Sequence, residues 1–149
     1  MEEEILNKQI IQSLNEDGRK SIREVARELD VSPSTVSKHM EKLMERGVIK
    51  HFKPSLDYEK LGMDLTAISK IQAKGSKIVE IVDKLVQEDN LTHVYEITGE
   101  FDILVVGKFA SRESMNNQIK GILNYPAVER ADTSIVLSVA KEGTNAKLA

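Results

Sequence analysis

Ser21-Ile22-Arg23-Glu24-Val25-Ala26-Arg27-Glu28-Leu29-Asp30-Val31-Ser32-Pro33-Ser34-Thr35-Val36 is the stretch whose reading decides the fold of the N-terminal region. Ser21 with Glu24 three places on makes a capping box, in which a serine oxygen and a glutamate each satisfy a backbone N–H that the first turn leaves unpaired. Ile22, Val25, Ala26 and Leu29 then fall on one side of a short helix. Asp30-Val31-Ser32 breaks the pattern, and Pro33 suits the first helical position because the N–H it lacks would have been unpaired there anyway. Ser32 is therefore the cap of a further helix, which runs to about Arg46 and stops at Gly47, a residue that accepts the left-handed closing conformation. Upstream, Leu6, Ile10 and Leu14 recur every four residues and mark a helix that ends at Glu16-Asp17-Gly18. Three short helices, the last two joined by a few turn residues, form a helix-turn-helix, the arrangement whose second member lies in the major groove of DNA.

Beyond Gly47 the periodicity changes. Val48 to Phe52 reads as a strand, and Pro54, Ser55 and Asp57 break it into a connector that reaches Asp64. Strand patterns at Leu65 to Gln72, Thr92 to Thr98, Ile103 to Phe109 and Arg130 to Ala140 are interleaved with helical patterns at Lys77 to Gln87 and Arg112 to Leu123. The order is βαββαβ, the ferredoxin-like pattern. The predicted fold class is α+β: a (winged) helix-turn-helix over 1–50, a hinge strand and connector over 51–64, a βαββαβ domain over 65–140 and a tail over 141–149.

The outer side of the third predicted helix is where binding chemistry concentrates. Val36, Met40, Leu43, Met44 and Gly47 cluster on one side, while Ser34, Lys38, Lys42 and Glu45 point away. Ser34, Thr35 and Ser37, next to the cap Ser32, are short hydrogen-bonding residues in the turn that approaches base edges in this motif. Lys38, His39 and Lys42 can hold bases or phosphates, and Arg19 and Lys20 can reach backbone phosphates. The competing reading of each of these residues is a solvated helix face. The chain has a net charge of −3, yet Lys38, Lys42, Arg46, Lys50 and Lys53 stand against only Glu41 and Glu45 between Pro33 and Lys53. A local field decides affinity for nucleic acid more than the total does.

Among 149 residues, 40% apolar and 30% charged, there is no cysteine, which excludes disulfides, thiolate metal sites and a cysteine nucleophile. Met1, Glu2, Glu3 and Glu4 lack the basic start of a secretory signal, and no segment approaches the roughly 20 apolar residues of a membrane helix, so the expected location is the cytoplasm. No phosphate-cradling glycine loop, HExxH or glycine-flanked serine occurs, and His39, His51 and His93 lack metal-ligand spacing. No catalytic residue, metal or cofactor is expected. Large apolar residues on both faces of the strands, Ile103, Val105 and Phe109 against Leu104 and Val106, and Ile135, Leu137 and Val139 against Val136 and Ala140, predict that the sheet face away from the helices is covered in a homodimer.

With these residues in place, the chain resembles the Lrp/AsnC (feast/famine) transcription regulators. The similarity rests on Asp17-Gly18-Arg19, Val31-Ser32-Pro33-Ser34-Thr35-Val36, Leu43 through Gly47-Val48-Ile49, Leu61-Gly62, Ile97-Thr98-Gly99-Glu100-Phe101-Asp102 and Val128 through Thr133 to Leu137, in order across nearly the whole chain. The resemblance implies a regulator that binds double-stranded DNA at pseudo-palindromic sites as a dimer, tetramer or octamer. It also implies an amino-acid effector held near Gly99, Glu100, Phe101 and Asp102, with Thr133 and Ser134 as further polar candidates. The physical reason is that glycine exposes backbone N–H groups to a carboxylate and Asp102 can accept from an ammonium group. The alternative is that Gly99 and Asp102 close a hairpin. Phe101 stands where the family often has tyrosine, and Ala131 where it often has threonine. Sirohaem decarboxylases resemble this architecture too, and would need a tetrapyrrole cavity lined by cationic and histidine groups. A third reading is an amino-acid sensor whose helix-turn-helix contacts only protein.

Overall fold

Three helices form where capping and apolar spacing require them: α1 (Glu2–Glu16), α2 (Ile22–Glu28) and α3 (Pro33–Glu45). In the capping box the Glu24 N–H donates to Ser21 Oγ at 3.3 Å and the Ser21 N–H to Glu24 Oε2 at 2.7 Å. Ser32 Oγ accepts from the Thr35 N–H at 3.1 Å. Ile10, Val25 and Val36 are fully buried with Leu14 and Ala26, and Leu6, Leu29, Val31, Met40 and Ile49 pack around them. Each such aliphatic side chain contributes about 1.5–3 kcal/mol relative to leaving it exposed, which is how three short helices hold together. Met44, read as inward, is 49% exposed at the rim.

Both turns of the motif close through left-handed residues. Asp30 takes φ +53°, and the Val31 N–H returns to the Ala26 carbonyl at 3.0 Å. Gly47 takes φ +67°, with its N–H on the Met44 carbonyl and the Val48 N–H on that of Leu43, both at 2.9 Å. This is the Schellman closure. It also corrects the hinge strand expected at Val48 to Phe52 and placed within 51–64. The Val48 and Ile49 N–H groups are both turned back onto Leu43, and the described residues offer no neighbouring strand to pair with.

The computed structural model describes residues 2–143, 146 and 148, divided between two units: one up to Ser55 together with residues from Lys141 onward, and one over Leu56–Ala140. In the second, β1 (Leu65–Ala73), β2 (Leu91–Glu96), β3 (Ile103–Phe109) and β4 (Val128–Ile135) form an antiparallel sheet in the order β2-β3-β1-β4. A 3-10 turn, Gly75–Lys77, leads into α4 (Ile78–Leu85), and α5 (Arg112–Leu123) starts at the cap Ser111. Ile81 and Leu85 of α4 and Ile122 of α5 pack on Ile71, Ala73, Ile103 and Val105, so both helices lie on one sheet face. Phe109, Ala67 and Met115 extend that core.

The last strand is shorter than the pattern from Arg130 to Ala140 predicts. The Val136 N–H still reaches the Thr66 carbonyl at 2.9 Å, but β1 begins at Leu65 and offers nothing further to pair with. Leu137 is left 98% exposed. On the helix-free face of the sheet, Ile68, Leu104 and Val106 are half-buried and Tyr95 exposed, whereas β4 presents Arg130, Asp132 and Ser134 there. The apolar expectation for that face therefore holds for Leu104 and Val106 of β3 and for Ile68, and fails for β4 and for the rest of β1, which presents Thr66, Lys70 and Gln72 there. Of the tail, 144, 145, 147 and 149 lie outside the described residues, and the described ones form no helix or strand. Among the described residues no helix is long and apolar enough to cross a membrane, and no group of three or more His, Cys, Asp or Glu could hold a metal.

Candidate nucleic-acid interface and effector turn

Packing of Val36 and Leu43 inward fixes the rotation of α3 and sends Ser34, Lys38, Glu41, Lys42 and Glu45 outward. The first turn is a polar cluster: Ser32 Oγ lies 2.9 Å from the Ser34 hydroxyl and 2.7 Å from that of Thr35. Ser37 is half-buried, and Lys38 is exposed with no ion-pair partner among the described residues. Thr35, Lys38, His39 and Lys42 line one groove, whose opposite wall is Glu2, Glu3 and Leu6 at the start of α1. His39 is half-buried, its Nδ1 donating to Asn7 Oδ1 at 2.7 Å, and Lys42 Nζ lies 2.8 Å from Glu3 Oε1. The Lys42 hydrogen bond and charge hold the Glu3 carboxyl below its ordinary range, with smaller contributions from His39 and Arg46.

Arg19 and Lys20 differ. Arg19 is exposed, and its backbone N–H donates to Asp17 Oδ1 at 2.8 Å. Lys20 Nζ instead lies 2.8 Å from Glu28 Oε2, 3.1 Å from Ser13 Oγ and 3.6 Å from Glu16 Oε2. The hydrogen bond to Glu28 raises the Lys20 amine above its ordinary value and is the largest cause lowering the Glu28 carboxyl. Lys20 thus ties α1 to α2. The reading of α3 from sequence missed Glu3 and Asn7. Their spacing follows the Leu6, Ile10, Leu14 stripe closely enough to put them beside it, but only the docking of α1 on α3 brings them to His39 and Lys42.

The second candidate lies between β2 and β3. The Ile97 N–H donates to the Asp102 carbonyl at 2.8 Å, and Gly99 takes φ +115°, which a side chain would strain. Asp102 Oδ2 accepts from the Ala73 N–H at 2.8 Å, at the point where the β1–β4 register shifts. That carboxylate satisfies a donor on the β3 side of β1, just past the last β1–β3 pair Ile71–Ile103, which is what the hairpin-closing reading of Gly99 and Asp102 expects. Phe101 is buried, its ring flanked by Lys70 Nζ and the Arg130 guanidinium, each 4.8 Å from the centroid. Arg130 reaches Glu100 at 3.2 Å, and Lys70 reaches Asp132 at 3.4 Å.

Gly99 to Asp102 are therefore together, but Thr133 and Ser134 are not with them as a pair. Alternation along β4 turns Thr133 to the helix side, where its hydroxyl lies 2.7 Å from Ser69 Oγ, and Ser134 to the other face beside Ile68. Lys70 and Arg130 were not among the sequence candidates, although strand parity places them on a common face. His93 lies beside Thr92 and Tyr95, and the groove along α4, lined by Ser76, Lys77, Val79, Glu80, Asp83, Lys84, Gln87 and Tyr125, holds no histidine.

Comparison with known proteins follows the same division of the chain. A model of winged helix-turn-helix DNA-binding domains matches residues 4–50. A model of the Lrp/AsnC ligand binding domain matches residues 66–146, more than half of the chain. An uncharacterized HTH-type transcriptional regulator of Pyrococcus horikoshii is 43% identical over 142 residues, covering 95% of this chain and 96% of its own. The structure of AsnC from E. coli superposes with a TM-score of 0.85 at 25% identity, over 94% of this chain and 95% of that one. A transcriptional regulator of Neisseria meningitidis in complex with L-Met shares the fold, with a TM-score of 0.83 at 22% identity over 97% and 94% of the two chains. The chain belongs to the Lrp/AsnC family and is a DNA-binding transcription regulator that joins a helix-turn-helix to a ligand-binding α+β domain.

Proposed function

We propose that α3 reads promoter DNA from paired copies of this chain in the cytoplasm, and that an amino acid bound to the second unit shifts the assembly between states. The observation that carries the DNA reading is the capped, polar first turn of α3, followed by an exposed Lys38 with no ion pair among the described residues. In this reading Ser34, Thr35 and Ser37 approach base edges, and Lys38, Lys42 and Arg19 meet phosphates. Ser32 holds the turn, His39 is seated by Asn7, and Lys20 braces the motif from inside. Exposed Arg23 and Arg27 on α2 add positive charge where the first helix of the motif crosses the DNA backbone.

For the second unit, the half-buried strip of Ile68, Leu104 and Val106 on the helix-free face supports a homodimer, and further association of dimers into tetramers or octamers is part of the same reading. The effector is an amino acid held at the Gly99–Asp102 turn. Support comes from exposed Gly99 and Glu100, from the cations Lys70 and Arg130 beside Phe101, and from the fold shared with the L-Met complex. Effector binding moves the assembly only through differential affinity for its states. Catalysis is not part of this reading.

Replacing Lys38 and Lys42 together with alanine tests the DNA assignment. DNA affinity is expected to fall and its salt dependence to flatten, by about 0.9 in log–log slope for each phosphate no longer neutralised. Unchanged affinity and slope would reject the role of α3.

A further inference from the structure

Two side-chain rungs cross from α1 to α3. Glu3 Oε1 meets Lys42 Nζ at 2.8 Å, and Asn7 Oδ1 meets His39 Nδ1 at 2.7 Å. Glu3 and Asn7 are one turn apart on α1, as His39 and Lys42 nearly are on α3, so the rungs lie one above the other. They seat the acidic opening of α1, Glu2-Glu3-Glu4, beside the outer side of α3, where Glu2 and Glu3 form one wall of the groove that Thr35, Lys38, His39 and Lys42 complete. A phosphate that approaches Lys42 meets a cation already bonded to a carboxylate of its own chain. The pair is open to water, its side chains 46% and 56% exposed, so it is screened and exchangeable rather than locked.

We infer that Glu3 is an internal competitor for the DNA backbone: it occupies Lys42 in the free protein and is displaced by phosphate on binding, which lowers the electrostatic part of the affinity. The inference rests on the reading of α3 as the DNA-facing helix. Displacement also reduces net ion release, because the freed carboxylate regains its own counterion when Lys42 moves to a phosphate. Glu3 is thus a residue that tunes DNA affinity without touching DNA.

The test measures binding of the full chain to a short random-sequence duplex across a salt series, for the parent, Glu3→Gln, Lys42→Ala, the Glu3→Gln/Lys42→Ala and Lys38→Ala/Lys42→Ala double variants and the control Glu2→Gln. Glu3→Gln is expected to bind about 2–5-fold more tightly at low salt, within the range that exposed ion pairs supply, and to steepen the salt slope by less than the about 0.9 that one neutralised phosphate contributes. The gain should vanish in the Lys42→Ala background and be smaller for Glu2→Gln. A gain that survives Lys42→Ala, or one matched by Glu2→Gln, is a general charge effect and overturns the inference. No gain from Glu3→Gln while Lys42→Ala weakens binding also overturns it, yet leaves the role of α3 standing. If neither Lys42→Ala nor its combination with Lys38→Ala alters binding, the role of α3 falls and takes the inference with it. Melting curves for each variant confirm that the helices are intact.

Discussion

At the scale of single residues, the turn between α2 and α3 depends on what Asp30 tolerates. Its φ of +53° lies where L-residues are crowded by their own Cβ, and Asp and Asn are among the few non-glycine residues that visit it readily. Asp30→Gly should therefore leave stability within about 0.5 kcal/mol or improve it, whereas Asp30→Val should cost about 1–3 kcal/mol. Chemical denaturation of the two variants checks the contrast, and equal midpoints would mean that the turn relaxes without a left-handed residue. Local chemistry of this kind was legible in the sequence. Ser21 with Glu24, Ser32 before Pro33, and Gly47 each act on backbone groups within a few residues, and the structure places each in the role its neighbours dictate. Lys20 was not legible in the same way, because its partners Ser13, Glu16 and Glu28 meet only when α1 and α2 pack.

At the scale of elements, the turn between β2 and β3 is tied to the end of β1, past the last β1–β3 pair Ile71–Ile103, by the Asp102 N–H on the Ile71 carbonyl and by the Asp102 carboxylate. Asp102→Ala would leave the Ala73 N–H, in a buried residue, without its acceptor, which costs about 1–3 kcal/mol. Such a variant should unfold at lower denaturant and, with its turn loosened, lose any effector response while the β1–β3 and β2–β3 ladders remain. Unchanged stability with no response would instead make Asp102 a ligand-contacting residue. The two strand ends that sequence periodicity misplaced share a cause. Val48 to Phe52 and the stretch after Ile135 both have strand-like composition, but a strand needs a partner: the described residues offer none to the first, and β1, which starts at Leu65, gives out as a partner just beyond Val136. Pairing is a non-local property that a window of residues does not contain. The same limit explains the polar candidates on β4: Thr133 and Ser134 are adjacent in sequence and on opposite faces of the sheet.

At the scale of the whole molecule, the fold was largely readable because cap, turn and apolar period agree in each element of the N-terminal unit, and because βαββαβ order admits few sheet topologies. The surfaces proposed for DNA, effector and a second copy rest on exposure and chemistry, and the most direct measurement is selection of genomic fragments by the purified chain across a panel of amino acids. Enrichment is expected for pseudo-palindromic sites whose half-site centres are about one helical turn, or a multiple of it, apart, and it should be altered by at least one amino acid. Selected fragments without two-fold symmetry, or no selection over random DNA, would contradict the pairing of two α3 helices in successive major grooves.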